Sequence, residues 1–147
     1  MNIKEHKNLT ISSKHSFEEL PQWFQKAETE DAVVFYVKKI NEFTWYSGTW
    51  KNGMWFGGTW ENGAWKNGRW QHGWWKNGTW TTGNWNDGTW RNGVWAGGLW
   101  RKGWWYDGIW LSGQWLDGIW YNGVWKDGLI RGEKCIGFDK ENEPIFV

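Results

Sequence analysis

The chain has 147 residues, a net charge of +1 and a single cysteine, Cys135. This length fits one domain or one capped repeat array. Near-neutral charge gives no general pull toward nucleic acid or anionic lipid, and a lone cysteine excludes an internal disulfide. The first residues lack the apolar run of a signal peptide, and no stretch approaches the roughly eighteen apolar residues of a membrane span, so a soluble cytoplasmic protein is expected.

Residues 1–44 are not repetitive and predict a small α+β N-terminal cap. Leu9-Thr10-Ile11 reads as a short strand. Ser16-Phe17-Glu18-Glu19 has capping-box spacing and should open a helix carrying Leu20, Trp23, Phe24 and Ala27, with Pro21 in its tolerant first turn. Ala32-Val33-Val34-Phe35-Tyr36-Val37 is β-branched and aromatic, as in a buried strand. Repeat arrays need ends that cover their apolar and hydrogen-bonding edges, and this segment is placed to do so.

From 45 to 129 a five-residue unit, x-Gly-x-Trp-x, runs without a slip: glycine at every fifth position from Gly48 to Gly128, tryptophan at every fifth from Trp45 to Trp125. Such strict periodicity marks repeat architecture. Glycine every fifth residue excludes a helix, at about 1 kcal/mol each. Asn-Gly and Asp-Gly pairs precede many of the tryptophans, and these are strong hairpin-turn signals.

Identical two-residue hairpin turns cannot repeat every five residues, because the three residues between them would aim both flanking backbone groups at the same neighbour. Two alternating kinds of turn are therefore expected. The residues before glycine sort that way: Asp87, Asp107, Asp117, Asp127, Gly57 and Gly97 share one phase, and His72, Thr82 and Lys102 the other. The predicted fold is an all-β repeat array built as a meander of ten-residue hairpins. The alternative is a quadrilateral β-helix of four pentapeptides per coil, which a ten-residue alternation allows, whereas it does not fit three per coil. In either, the tryptophan face must be covered by curling, by a homodimer or by a ligand, because burial of the indoles has to offset the backbone entropy of ordering the array.

The positions outside the Gly–Trp columns change character along the array. Glu61, Lys66, Arg69, Gln71 and Lys76 give way to Trp104, Tyr106, Ile109, Leu111, Leu116, Ile119, Tyr121 and Val124. Residues 130–147 then leave the repeat, and Lys134–Phe138 with Pro144–Val147 predict a C-terminal β-hairpin cap around residues 139–142. The apolar third is the candidate partner-binding surface: Trp104, Tyr106, Ile109, Leu111, Leu116, Ile119 and Tyr121, with Trp74 and its basic neighbours secondary. The alternative assignment for that patch is packing against the tail. Lys66, Arg69, Lys76, Arg91, Arg101 and Lys102 lie among aromatics, but the overall charge disfavours nucleic acid. His6, His15 and His72 have no metal-binding spacing with the cysteine, no nucleophile–base or phosphate-loop pattern stands out, and no cofactor is expected.

Asn52-Gly53-Met54-Trp55 and its repeats resemble the hairpin half of MORN repeats, though with a shorter period. The pattern over 45–129 is closer to the tryptophan–glycine pentapeptide arrays of tailed-phage and bacterial proteins. That resemblance implies a β-repeat protein and, for a phage protein, a host-directed inhibitor or scaffold in the infected cell, or a virion structural component. The leading functional expectation is a non-catalytic protein that binds another macromolecule, a protein partner first. The alternative is an aromatic-cage module gripping a glycan, a choline-like cation or a nucleotide, which requires exposed tryptophans.

Overall fold

The structure, a computed structural model, describes residues 5–131, 135–141 and 144–146. Each x-Trp pair of the array forms a two-residue rung, from Met54–Trp55 to Leu129–Ile130. The rungs pair in parallel with partners fifteen residues away: Thr59 with Trp74 and Trp60 with Trp75, Thr79 with Val94, Asn84 with Leu99. Three pentapeptides therefore make one coil, and the stacked coils form a three-faced β-solenoid of about six turns. The first face carries Thr59–Trp60, Trp74–Trp75, Thr89–Trp90, Trp104–Trp105 and Ile119–Trp120. The second carries Ala64–Trp65 to Val124–Trp125, and the third Met54–Trp55 to Leu129–Ile130.

The all-β repeat array of the sequence analysis is thus present, but neither detailed architecture is. There are no ten-residue hairpins, because pairing within the array is parallel throughout. The coil also closes after three pentapeptides rather than four. Parity forbids identical turns only where each turn hands the chain to an antiparallel neighbour. Here each inner rung instead bonds along the axis to the coils before and after it, and the terminal rungs to one neighbour. The residue after each tryptophan donates its N–H to the tryptophan carbonyl one coil back, as Lys76 does to Trp60 at 2.8 Å. The residue after each glycine does the same to a glycine carbonyl, as Asn84 does to Gly68 at 2.9 Å.

Nor do the corners alternate in kind. All the repeat glycines have φ between 104° and 132°, and the residues before them keep negative φ, so one turn serves every corner. Gly83 shows why the residue is fixed. Its φ is 124°, and a Cβ there would overlap the carbonyl oxygen of Gly68 in the preceding coil. The aspartates fit this turn too: Asp87 and Asp107 each accept the N–H of the following glycine at 2.8 Å.

The tryptophans point inward. Those of the every-fifth-residue column from Trp45 to Trp115 are completely buried, and Trp120 is nearly so. Within a coil, successive indoles meet edge to face, as Trp75 and Trp80 do at 5.9 Å and 73°. Between coils they stack in parallel, as Trp80 and Trp95 do at 4.7 Å and 6°. Edge-to-face and offset-stacked geometries are the two that the ring quadrupole favours, and the interstrand spacing of about 4.8 Å supplies the second directly. Indole N–H groups add a cross-coil tie in places, Trp60 donating to the Asn77 carbonyl at 3.1 Å and Trp80 to that of Gly97 at 3.0 Å. Several array indoles, Trp70 and Trp95 among them, donate no such bond among the described residues, so ring contact carries much of the cohesion. Curling is the covering that the array uses.

The N-terminal cap is α+β, with one change. Ser16 does open a turn, its N–H bonded to Glu19 Oε1 at 2.9 Å, but the helix stops at Glu19 as a single 3-10 turn. Leu20 is extended at ψ 159°, the conformation a following proline enforces, and the helix resumes as α1, Gln22–Gln25. Leu20, Phe24 and Ala27 are buried as expected. Phe24 and Trp23 lie within about 6.5 Å of Trp50 and close the N-terminal end of the indole core. The strand expected at 32–37 belongs to a longer one, Glu28–Val37, antiparallel to Glu42–Asn52, which turns a corner to supply the first two rungs of the solenoid.

At the other end Ile130 takes the place of a tryptophan opposite Trp115, so the last rung reaches one residue past the expected boundary at 129. Cys135–Phe138 and Pro144–Phe146 pair as the predicted antiparallel hairpin, and its first strand lies beside the Ile119–Trp120 rung. Lys134, Asn142 and Val147, also assigned to that hairpin, lie outside the described residues.

Candidate binding surface

On each rung the residue before tryptophan points outward, and the fifteen-residue coil decides which outward residues become neighbours. Trp74, Thr89, Trp104 and Ile119 form one axial column on the first face. The adjacent corner carries Glu61, Lys76, Arg91, Tyr106 and Tyr121, and beyond it Ile109 and Val124 pair on the second face. Trp104, Tyr106, Ile109, Ile119 and Tyr121 are therefore brought together around one corner. Leu116 stands on the corner between the third and first faces, across the first face from Tyr106 and Tyr121. Leu111 lies on the corner between the second and third faces, away from the others. The residues of the apolar third are thus distributed around the solenoid, because rows fifteen apart, not ten, share a face.

Trp74 and Trp104 remain 50% and 48% exposed, against 0% for their neighbours Trp75 and Trp105. Ile119 and Tyr121 are exposed as well, although the described strand Cys135–Phe138 lies beside the Ile119 rung. Tyr106 stacks on Tyr121 at 4.7 Å and 9°, and Trp104 meets Tyr106 edge-on at 6.4 Å. The Arg91 guanidinium lies 5.3 Å from the centre of the Tyr106 ring, a cation–π arrangement. Lys76 pairs with Glu61 at 3.2 Å, and Lys102 stands 4.0 Å from Asp87 on the opposite edge.

Beside Trp74 opens a cavity of about 630 Å³, lined by Trp74, Lys76, Arg91, Asn92, Tyr106 and Asp107. A second, of about 370 Å³, lies beside Trp104 between Asp87, Lys102, Asp117 and Ile119. A longer groove of about 800 Å³ follows the corner of the third face past Asn67, Arg69, Asn84 and Gln114, without an aromatic wall. The sequence pattern named Trp74 and Trp104 but not the contribution of Thr89, Asn92 and Asp107. A search for a fifteen-residue period among outward positions is the signal that would have joined them.

No family model, curated protein or solved structure matches this chain. Among the described residues there is no cluster of His, Cys, Asp or Glu suited to a metal ion, and no helix is long and apolar enough to cross a membrane.

Proposed function

We propose that this chain is a non-catalytic β-solenoid that binds another macromolecule through the aromatic strip of its first face and adjoining corner. The observation that carries the reading is the contrast between Trp74 and Trp104, half exposed, and the array tryptophans beside them, fully enclosed. An outward tryptophan contributes nothing to the indole core, and aromatic side chains with a nearby arginine are the usual anchors of binding surfaces. The scaffold behind them is rigid, because the rungs of Trp74, Thr89 and Trp104 are each bonded on both sides, so little ordering entropy is lost when the strip is engaged.

The test is to replace Trp104 and Ile119 together by Asp and compare partner capture by cross-linking in the natural host. Capture should disappear while the circular dichroism stays unchanged. Retained capture with an intact fold would place the binding surface elsewhere.

A further inference from the structure

We infer that the first face binds an extended, uncharged polysaccharide of equatorially linked pyranoses, laid along the solenoid axis with Trp74 and Trp104 under alternate sugars. The inference rests on the reading of this strip as a macromolecular binding surface, and adds the class of ligand. It starts from register. The inner indoles behind this face advance by 4.7 Å from Trp75 to Trp90 and by 4.8 Å from Trp90 to Trp105. Trp74 and Trp104 are therefore rooted two rungs apart, about 9.5 Å along the axis. With bonds near 1.5 Å, a pyranose joined through equatorial oxygens advances its chain by about 5 Å. Every second sugar thus meets the next tryptophan. Between the two platforms stands Thr89, small and hydroxylated, in the rung that the intervening sugar would cross.

The margins fit the same ligand. Sugar hydroxyls both donate and accept, so a site for them needs both kinds of partner. The cavity beside Trp74 offers Arg91 as donor, Asn92 as both and Asp107 as acceptor, and the one beside Trp104 offers Lys102 with Asp87. A polyanion would instead require a surplus of cations. Here Lys76 is engaged by Glu61 and Lys102 by Asp87. A dry, wholly apolar centre, as in a protein hot spot, is likewise missing between the two tryptophans, where Thr89 stands.

The test is isothermal titration of the full chain with cellohexaose and chitohexaose, whose β-1,4 links are equatorial, against maltohexaose, whose α-1,4 links curl the chain. Binding of at least one β-linked hexasaccharide is expected, with maltohexaose at least about tenfold weaker. Trp74→Ala and Trp104→Ala should each weaken binding about tenfold. The double variant Thr89→Trp/Trp104→Thr keeps the number of tryptophans but brings them to adjacent rungs, and should lose as much. Circular dichroism checks that each variant is folded. No binding of either β-linked sugar, or equal binding by the shifted variant, overturns the inference. If neither sugar binds but Trp74→Ala/Trp104→Ala abolishes capture of a protein partner, the polysaccharide is rejected and the binding reading survives.

Discussion

Replacing Gly83 by Ala tests the closure of the solenoid at a single atom. The new Cβ would overlap the Gly68 carbonyl oxygen of the coil beneath, and φ would have to remain at 124°. Holding an L-residue in such a region costs about 1–3 kcal/mol, and forcing atoms into a filled space about 1–3 kcal/mol more. A loss of about 2–6 kcal/mol is expected. The internal control is Gly57→Ala. No φ strain applies at Gly57, and nothing lies within 4 Å of a Cβ built there. Such a change stabilises by about 0.4–1 kcal/mol through the unfolded chain. Urea unfolding followed by circular dichroism gives both midpoints. Stability in an array is a sum over neighbouring coils, so Gly83→Ala should also broaden the transition as the two halves separate. If Gly83→Ala costs no more than Gly57→Ala, the coils are not in van der Waals contact at their corners and the fifteen-residue closure is wrong.

Other consequences follow from the same geometry. Trp80→Ala should cost about 3–5 kcal/mol in thermal or urea unfolding, as for a large buried aromatic, whereas Trp104→Ala should leave the midpoint nearly unchanged because the side chain is half exposed. Acrylamide should quench only a minor part of the tryptophan emission, and Trp74→Ala/Trp104→Ala should remove much of that part; uniform quenching of all emission would contradict an enclosed indole core. The cap should weaken in acid. His6 is buried, donating Nε2–H to the Gln25 carbonyl at 3.1 Å while Nδ1 lies 2.8 Å from the Thr29 hydroxyl, and burial holds its pKa below the usual 6.5. Below about pH 6.5 the unfolded chain takes up a proton that the folded chain refuses. Stability therefore falls as pH drops from about 6.5 toward the lowered folded value. His6→Asn should flatten that dependence in unfolding midpoints taken between pH 7.5 and 5.

How much of this could be read beforehand depends on whether the deciding force is local. Gly48 to Gly128 and Trp45 to Trp125 determine an all-β array with left-handed corners and an indole core, since a backbone of positive φ and a large apolar ring impose those outcomes wherever they occur. The capping box at Ser16 is local too, as is the break before Pro21, although the break was legible and the helix was still expected to run through it. The alternation between Asp87 or Asp107 and His72 or Lys102 misled because side chains at solvent-exposed corners can drift in type without any change of turn.

The number of pentapeptides per coil is different. A unit such as Asn77-Gly78-Thr79-Trp80-Thr81 has the same local chemistry in a hairpin, a three-sided coil or a four-sided one. What decides is how many indoles fill the cross-section: three meet edge to face at about 5.9 Å, Trp75 with Trp80 and Trp80 with Trp85, and a fourth would open a void at the axis that nothing in the repeat can fill. Closure at three then sets every outward neighbour. Trp74 and Trp104, thirty residues apart, share a face because thirty is two coils of fifteen; with four units per coil they would stand on opposite sides. The candidate surface was written in the sequence residue by residue, but its assembly was settled by indoles packing across the axis, a contact between residues that no local pattern brings together.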